Sequence, residues 1–566
     1  MCQAFTVTVG PDALTPDLVD RFTRWGRPST PVTLSGPAQE FLEARVGMAT
    51  VASNLPVTQI CIPDSRLPGP ALDALVAAVG VTQVLIDPIS RLLHSRGMSY
   101  LDMLARRTAD TNGIPDAVVK PATHDEVLAV LQVCTRYRIC VVPFGGGTSV
   151  VAGVTRPAEA IGIAISMERL GALIALDALS GLVRVQPGIS GPELERILGE
   201  RGFTLGHLPQ SWERATVGGY AATRSAGQAS SGYGRIDDMA QSVTVATPIG
   251  TWSAGRVPAS AAGPDLLHLA LGSEGAFGII TEITLRVRRT PKASRYEGAM
   301  APTFAAGISA CRELAQLGLT GSVLRLSDES ETAASLAMSG PTGLKRKLFD
   351  RYLAVRKVGQ GALLILGWEE QSAALLDARR DAAWNVLKKF GVVSLGKGVG
   401  TAWRHSRYAG PYLRDTLLDG GYLVETFETA ASWNLVPDLY EAARGAVHQA
   451  LATGGHTPYV MAHVSHVYET GACIYFTVID RGGPEAGPRW REAKTTISGA
   501  LQPAGGTITH HHGIGRDHQP WLRAEIGGIG IGLLRAIKAE LDPDQIMNPG
   551  VLLRPAGTGD PPAAIV

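Results

Sequence analysis

The chain has 566 residues, a length that accommodates two or more domains. Apolar residues make up 45% and charged residues 18%, a composition typical of a globular protein and unlike that of a disordered one. The formal charge of +1 gives no overall positive field, so we expect no nucleic acid among its partners.

Six cysteines are scattered along the chain without the CxxC pairs that a zinc site or a redox couple would use. This pattern is typical of reduced, mostly buried thiols in a cytoplasmic protein. The N-terminus has no basic region followed by an apolar core, and no apolar run approaches the ~20 residues that span a bilayer. We therefore expect a cytoplasmic protein, at most peripheral at a membrane.

Residues 1–105 predict an N-terminal region of loops and short helices. A βαβ unit follows, with a strand at 114–119, a helix capped by Thr123 with Glu126 at the capping-box spacing, and a strand at 139–144. Further β-like runs continue to about residue 290. They predict a first large domain over residues 106–290.

From residue 291 to 500, amphipathic helical stretches alternate with β-like runs, which predicts a separate α+β domain that caps a site on the first one. The final segment, 501–566, carries a histidine cluster and the closing sequence DPDQIMNPG. We expect it to complete the same site. The fold class predicted from this organisation is α+β.

Four glycine-rich segments lie at 143–153, 209–238, 271–287 and 542–550. One such segment is as well explained by a tight turn, but four favour an extended dinucleotide that backbone amides contact at several points. A GxGxxG between a strand and a helix is missing, which disfavours a Rossmann site. GxxxxGK[ST] is missing too, which argues against a nucleotide triphosphatase.

Three successive histidines, His510, His511 and His512, stand in the sequence THHHGIG. Imidazoles titrate near neutral pH, so they can shuttle protons or donate hydrogen bonds to anionic oxygens. A metal site and a solvated loop are the alternatives. Adjacent histidines point in different directions and no carboxylate stands at a typical ligand spacing, so we predict no metal.

In their order and spacing, the glycine-rich segments resemble the PCMH-type FAD-binding domain of the vanillyl-alcohol oxidase superfamily. The resemblance implies noncovalent FAD, since Thr148 stands where some relatives carry a histidine bonded covalently to the flavin. The cofactor-binding residues that it implies are Pro143, Gly145, Gly146, Gly147, Thr148, Ser149, Gly153, Pro209, Ser211, Thr216, Gly218, Gly219, Thr223, Arg224, Ala226, Gly227, Glu274, Gly275, Gly278 and Ile280.

From about residue 85 to the end, the chain resembles the alkyldihydroxyacetonephosphate synthase family, on the stretches RIDDMAQSVTVATPIG, PYLRDTLLDGGYLVETFET, ETGACIYF and THHHGIGRDHQPWL. This resemblance implies a two-lobed FAD-binding domain with an α+β cap. It implies a transferase of ether-lipid synthesis that exchanges the acyl group of acyl-dihydroxyacetone phosphate for a long-chain alcohol through a flavin N5 adduct. It also implies lipid-like substrates and a homodimer.

The same resemblance assigns proton transfer to Tyr475 and places Arg325 in the active-site region, where a guanidinium can bind phosphate. His463 stands where the family has an arginine, and a neutral imidazole binds phosphate less strongly. Arg516 stands where the family usually has a lysine and keeps a positive charge there. The predicted catalytic residues are Tyr475, His510, His511, His512, Arg325, His463 and Arg516.

Two other functions stay open at this point. The closing IMNPG is more typical of hydroxyacid dehydrogenases, so an FAD-linked dehydrogenase or oxidase of a hydroxyacid or alcohol is the alternative enzyme. A flavin-binding protein that has lost catalysis is the third hypothesis. Residues 344–353 alternate basic and apolar side chains at helical spacing, which predicts either a helix that rests on an anionic membrane or one that packs on the cap domain.

Overall fold

The computed structural model describes residues 22–26, 32–51 and 60–554. The terminal segments on which the targeting predictions rest lie outside these residues. Within the described part, the strands are β1 Val84–Leu85, β2 Ala117–Val119, β3 Cys140–Phe144, β4 Gly162–Ser166, β5 Leu173–Asp177, β6 Leu182–Val185, β7 Phe203–Thr204, β8 Ala240–Thr247, β9 Gly250–Ala254, β10 Ile279–Arg286, β11 Arg288–Arg289, β12 Ala293–Ala301, β13 Val323–Ser327, β14 Ala362–Glu370, β15 Val393–Gly396, β16 Tyr422–Ser432, β17 Tyr459–Val467 and β18 Gly471–Arg481.

The α-helices of the same ranges are α1 Gly36–Val46, α2 Gly69–Val79, α3 Pro88–Leu93, α4 Tyr100–Arg107, α5 His124–Tyr137, α6 Gly191–Gly199, α7 Val217–Thr223, α8 Ser230–Tyr233, α9 Ile236–Met239, α10 Leu267–Ala270, α11 Phe304–Gln316, α12 Glu329–Ser339, α13 Gly343–Val355, α14 Ala373–Lys389, α15 Lys397–Ser406, α16 Gly410–Asp419, α17 Val436–Leu451, α18 Ala486–Leu501 and α19 Leu522–Leu541. Short 3₁₀ turns lie at Val81–Gln83 and Gln519–Trp521.

The first sheet has four strands in the order β1-β2-β4-β3, and its β2, β4 and β3 run parallel. β4 is buried along its whole length, as expected for a parallel strand covered on both faces. α5 crosses between β2 and β3, and the Thr123 hydroxyl caps it by accepting from the Glu126 amide at 3.1 Å. The Glu126 carboxylate accepts from the Ala122 amide at 2.7 Å, so the return bond reaches one residue further back than a capping box requires.

The second sheet is antiparallel, with five strands in the order β5-β6-β10-β8-β9. β7 and β11 form a separate two-stranded ribbon. One core cluster joins this second sheet to the helices α6 and α7, through side chains such as Val183, Leu194, Val217 and Ile283. The glycine-rich segments at 143–153 and 209–238 run through the loops and short helices next to these two sheets.

The third sheet has seven antiparallel strands in the order β15-β12-β14-β13-β17-β18-β16. Side chains alternate between the two faces of β18, as the period of a strand dictates. Ile474, Phe476 and Val478 join the large core under α17 and α18, whereas Tyr475 and Thr477 face a cavity. The strand therefore separates a packed face from a functional one.

The segment after α19 returns to the first sheet. The Val141 amide donates to the Ile546 carbonyl and the Asn548 amide donates to the Val141 carbonyl, both at 2.8 Å, so the edge of β3 is covered. The arrangement of helices and sheets confirms the predicted α+β class. The division at residues 105, 290 and 500 stays a prediction. Among the described helices, none combines the length and apolarity needed to cross a membrane.

Candidate functional site

One cavity of about 570 Å³, here called the reaction cavity, lies between the first two sheets and the third. One end is lined by the glycine-rich segments, the middle by polar side chains of β16, β17 and β18, and the far end by apolar side chains. A second, smaller cavity of about 400 Å³ lies beyond the histidine loop, residues 509–515. Both cavities contact Thr223, Ser273 and Glu274, so they are neighbours.

The glycine end of the reaction cavity presents unpaired backbone donors. The amides of Gly145, Gly146, Gly147 and Thr148 donate no hydrogen bond to any other part of the chain that the structure describes. Consecutive free N–H groups in a loop after a strand form a concave surface suited to an anion. The diphosphate of a dinucleotide fits this donor set.

The glycines of this loop are required by close packing. A Cβ on Gly146 would overlap the carbonyl group of Arg214, and Gly147 has a φ of +64°, which favours glycine. Gly146 therefore lets the segment around Ala215 lie directly against the loop, and the two segments form one wall of the cavity. The residues present fit an FAD diphosphate.

Nearly all of the predicted cofactor-binding residues line the reaction cavity; Arg224 and Gly227 are the exceptions. The Arg224 guanidinium donates to Asp237 at 2.7 Å and borders the second cavity. A Cβ on Gly227 would press against the Leu208 backbone, so this glycine serves packing. The residues that line the reaction cavity as predicted are Pro143, Gly145, Gly146, Gly147, Thr148, Ser149, Gly153, Pro209, Ser211, Thr216, Gly218, Gly219, Thr223, Ala226, Glu274, Gly275, Gly278 and Ile280.

Tyr475 lies in the middle of β18, directly opposite His463 on β17 and Glu428 on β16. Its ring stacks on His463 with the centroids 5.1 Å apart, and its hydroxyl donates to Thr426 Oγ1 at 2.9 Å. Burial raises the pKa of Tyr475 to about 12. The phenol is therefore protonated at neutral pH.

The histidine loop wraps around the buried carboxylate of Glu428. This carboxylate accepts hydrogen bonds from the Thr509 hydroxyl and the His510 amide at 2.6 Å, and from the His511 and His512 amides at 3.0 Å. Burial alone would raise the pKa of Glu428, but the nearby imidazoles, led by His511, lower it where they carry a proton, and the Thr509 hydroxyl lowers it further by donating to the carboxylate, so it lies well below the ordinary value. Glu428 is thus a charged anchor for the loop.

A second buried carboxylate holds the other end of the loop. Glu274 accepts from the Ile514 amide at 2.7 Å and from the Gly515 amide at 2.9 Å. Burial raises its pKa to about 7 despite these two bonds. Glu274 belongs to the third glycine-rich segment and also lines the reaction cavity, so it connects the loop to the predicted cofactor site.

The imidazoles of the loop are uncharged at neutral pH. Burial lowers the pKa of His511, lowers that of His512 to about 3, and lowers that of His510 well below the ordinary value. His511 and His512 line the reaction cavity, whereas His510 lines the second cavity. His510 Nδ1 lies 3.0 Å from His511 Nδ1, and its Nε2 lies 2.6 Å from the Tyr468 hydroxyl.

Ligand atoms of Glu428, Cys473, His510 and His511 lie within 4.8 Å of one another, the spacing of a metal centre. The carboxylate comes from 82 residues before His510, which is why no local spacing revealed it. Its Oε1 accepts three hydrogen bonds and its Oε2 accepts one, so most of the acceptor capacity of the carboxylate is used within the chain. We therefore interpret the group as a hydrogen-bonded network.

Arg325 and His463 meet at a shared carboxylate. Arg325 Nη2 donates to Glu331 Oε1 at 2.9 Å, and His463 Nδ1 lies 3.0 Å from the same oxygen and 3.1 Å from Arg325 Nη2. Burial raises the pKa of Glu331, but His463 and Arg325 together lower it to about 2. The charge of Arg325 is therefore balanced, and its other nitrogens are left to face the cavity that both side chains line.

Arg516 lies apart from the other predicted catalytic residues. Its guanidinium donates to the carbonyls of Thr155 and Pro549 and lines neither cavity. The side chain connects the first glycine loop to the closing segment. The structure thus brings Tyr475, His463 and the histidine loop together but directs this arginine elsewhere.

Two residues that the sequence analysis missed also line the reaction cavity. Arg414, on α16, donates to the Met98 carbonyl at 2.6 Å and has a buried Nε without a partner, and its charge acts on nearby Asp415 and Glu425. His466 follows a bulge at Ser465 in β17. Regular alternation would place His463 and His466 on opposite faces, and the bulge turns both toward the cavity.

The far end of the cavity is apolar. Phe41 and Leu42 of α1, Leu413 and Leu417 of α16, and Met461 of β17 line it. A wall of this kind is suited to a hydrocarbon chain because it removes apolar surface from water. The cavity therefore has a dinucleotide end, a reactive middle and an apolar end.

Residues 115–254 match the family described as "FAD binding domain", and residues 290–552 match "FAD linked oxidases, C-terminal domain". The cofactor is therefore FAD. An alkyldihydroxyacetonephosphate synthase of Trypanosoma brucei brucei is 32% identical over 87% of this chain and 82% of its own length. One of Dictyostelium discoideum is also 32% identical, over 83% and 78%. A solved alkyldihydroxyacetonephosphate synthase structure aligns with a TM-score of 0.79 at 29% identity, over 91% of this chain and 92% of that one.

Proposed function

The chain belongs to the alkyldihydroxyacetonephosphate synthase family, and from this premise we propose that it exchanges the acyl group of acyl-dihydroxyacetone phosphate for a long-chain alcohol. The single observation that carries the proposal is the continuity of the reaction cavity. Free amides of the first glycine loop, the Tyr475 and histidine cluster, and an apolar end all line this one cavity. This order suits a flavin, a reacting carbon and a fatty chain.

FAD, when bound, supplies the isoalloxazine ring at which the exchange takes place. The residues that hold its diphosphate are the glycines of the first loop, with Thr148 and Ser149. The tight fit of Gly146 against Arg214 keeps this loop in place, so the donors are oriented before the cofactor arrives. We propose noncovalent attachment, since no histidine stands in the first loop.

The reactive middle offers one proton donor and several proton acceptors. Tyr475 is protonated because its pKa is raised, and His511 and His512 are neutral because theirs are lowered. We propose that Tyr475 transfers a proton at the substrate carbon and that His511 and His512 receive the proton of the incoming alcohol. Positioned side chains in these states perform general acid and base catalysis.

Substrate phosphate needs positive charge, and His463 does not supply it. We propose that Arg325 and Arg414 bind the phosphate, because both line the cavity and a guanidinium donates two parallel hydrogen bonds to phosphate oxygens. Arg414 supports this role more strongly, since its buried Nε has no hydrogen-bond partner and is left to donate to the substrate. Arg516 keeps a structural role, since it donates to the carbonyls of Thr155 and Pro549.

The test uses the full-length chain with FAD, acyl-dihydroxyacetone phosphate and deuterium-labelled hexadecanol. We expect the labelled ether and free fatty acid in equal amounts, without consumption of an electron acceptor. Bleaching of the flavin by D-lactate or by the alcohol, with no ether formed, would favour the FAD-linked dehydrogenase instead. A yellow protein that responds to neither class of substrate would indicate a flavin-binding protein without catalysis.

We further propose that α13 contacts a membrane surface. Leu344 and Leu348 are 74% and 60% exposed along one side of this helix, among the basic side chains of residues 345–347. Met338, which ends the preceding helix, lines the reaction cavity. The helix is therefore close to a route by which lipid substrates enter. We also propose a homodimer, which light scattering would reveal as twice the 59.5 kDa of one chain.

A further inference from the structure

Three side chains form an unbroken hydrogen-bonded line that starts at the reaction cavity with His511, borders the second cavity at His510 and ends at Tyr468. On this geometry we propose that His511, His510 and Tyr468 relay the proton released by the exchange out of the reaction cavity. The inference rests on the proposed function for the source of the proton. The path itself rests only on the positions of the three residues.

The exchange leaves one proton behind. The bond between the substrate carbon and the acyloxy oxygen breaks, and a bond from that carbon to the alcohol oxygen forms. The alcohol loses its hydroxyl proton, and the fatty acid leaves as a carboxylate because carboxyl groups ionise far below neutral pH. No electrons are gained or lost overall, so each turnover releases one proton into the reaction cavity.

The entry to the relay is His511, which lines the reaction cavity. Its Nδ1 faces His510 Nδ1 at 3.0 Å, so its Nε2 is the nitrogen left to receive a proton from the cavity, and within the described ranges this Nε2 has no partner. His510 lines the second cavity, and its Nε2 lies 2.6 Å from the Tyr468 hydroxyl. The line thus crosses from one cavity to the other.

Two nitrogens at 3.0 Å must share one hydrogen, because two donors or two acceptors at that distance repel. When a proton binds to His511 Nε2, the shared hydrogen moves from His511 Nδ1 to His510 Nδ1. His510 then passes its Nε2 hydrogen to the Tyr468 oxygen, and the phenol releases its own hydrogen beyond His510, on the side where Arg235 lies. Each of the three residues gains one hydrogen and loses one, and each imidazole ends with its hydrogen on the other ring nitrogen.

The surroundings keep this line intact. Glu428 fixes the backbone of both histidines through their amides, and the ring of His466 stacks on His510 with the centroids 5.2 Å apart. Burial lowers the pKa of both relay histidines, which leaves each ring neutral with one hydrogen to pass on. At the far end, Arg235 lies beside Tyr468 and lines the second cavity, where its positive charge favours departure of the proton.

The first experiment compares the FAD-loaded wild type with Tyr468→Phe, which keeps the ring and removes the hydroxyl. Proton release is followed with an indicator dye in weak buffer while ether formation is followed by mass spectrometry. We expect the rate of proton release to fall roughly 100-fold, the low end of what a positioned proton-transfer group contributes, with unchanged KM for both substrates. In the wild type we expect the rate of proton release to depend non-linearly on the deuterium fraction of the solvent. In Tyr468→Phe this dependence should become linear.

Tyr440→Phe is the matched control, because Tyr440 donates to Asp328 under the core side of the third sheet, away from the histidine loop. It should leave proton release and the isotope dependence unchanged. Equal rates and equal isotope dependence in Tyr468→Phe and the wild type would overturn the relay. Loss of proton release in both variants alike would also overturn it, since the effect would then be structural.

A second experiment does not require turnover. A neutron structure of the deuterated protein should show a single deuteron between the two Nδ1 atoms and one between Tyr468 and His510 Nε2. A deuteron on both Nδ1 atoms, with the rings turned apart, would overturn the relay. If the wild type makes no ether, the proposed function fails, and this neutron measurement still decides whether the proton path exists.

Discussion

Glu428 and Glu274 hold the same histidine loop from opposite ends, one from the third sheet and one from the third glycine-rich segment. Their charge states differ. Glu428 is ionised because its pKa lies well below the ordinary value, whereas Glu274 has a pKa of about 7 because burial disfavours its charge. The position of the imidazoles at the reaction cavity therefore depends on two carboxylates that respond to pH in different ranges.

The first prediction concerns Glu274→Gln. Because the folded pKa of about 7 lies above the unfolded value near ~4.3, the folded state holds an extra proton between these values, so stability falls as pH rises through this window. The total change is on the order of 3 kcal/mol. Urea unfolding from pH 4.5 to 8 should show a smaller fall in Glu274→Gln than in the wild type; parallel curves would contradict the assignment.

Tyr475→Phe should keep FAD and lose the exchange of acyl for alkyl groups. The phenol is the proton donor that faces the cavity, and removal of such a group costs about 10²–10⁴-fold in rate. Flavin absorbance measures cofactor content, and labelled hexadecanol measures turnover. The control is Tyr440→Phe, whose hydroxyl lies outside the cavity. Near-normal turnover would remove Tyr475 from the mechanism.

Gly146→Val should purify without yellow colour. A Cβ at this position overlaps the Arg214 carbonyl, so the branched side chain must push the segment around Ala215 away from the first glycine loop. The wall that holds the diphosphate would then open. Gly199→Ala is the matched control, because no heavy atom lies within 4 Å of a Cβ at that position. A fully loaded Gly146→Val protein would mean that the cofactor lies elsewhere.

Arg414→Gln should weaken binding of acyl-dihydroxyacetone phosphate while FAD stays bound. A hydrogen bond between charged groups contributes about 1.5–3 kcal/mol, which corresponds to roughly a 10- to 100-fold rise in KM. The affinity for the alcohol, which has no phosphate, should not change. Arg312→Gln, an exposed arginine on α11, serves as the control. An unchanged KM would leave Arg325 as the phosphate ligand.

Leu344→Asp combined with Leu348→Asp should reduce sedimentation with vesicles that contain phosphatidylserine. Both side chains are exposed on α13, and an aspartate at each place removes apolar contact and adds repulsion from the anionic surface. Val81→Asp, at an exposed apolar position remote in sequence, is the control. Equal sedimentation of all three proteins would show that α13 does not touch the membrane.

The cofactor end of the site was predictable because its chemistry is local. Gly145, Gly146 and Gly147 stand together in the sequence, since a loop that presents several free amides to a diphosphate must be continuous. The α+β class was predictable for a similar reason, because strand and helix periods are read over a few residues. Of the predicted cofactor ligands, Arg224 and Gly227 lie off the cavity, although they belong to the same continuous segment.

The reactive middle was only partly predictable. Glu428 and Arg414 reach the site from distant positions in the chain, and no local spacing connects them to the histidines. His466 faces the cavity because of the bulge in β17. Regular alternation would place its side chain on the opposite face of the sheet. Arg516 was predicted to lie at the site because it stands close to the histidines in sequence. Its side chain instead points away and donates to the Thr155 carbonyl, since closeness in sequence does not fix the direction of a side chain.

Asn548 donates from its side chain to the carbonyls of Gly153 and Glu274, positions 395 and 274 residues earlier in the chain. Two residues that line the reaction cavity are thus held by a segment that leaves the ribosome long after the strands it completes. Contacts of such long range slow folding, and partly built sheets are exposed to aggregation in the meantime. FAD binding is therefore expected only after the segment around Asn548 has been synthesised. Conditions that delay release of the nascent chain should yield aggregation-prone protein without FAD rather than inactive protein with FAD bound.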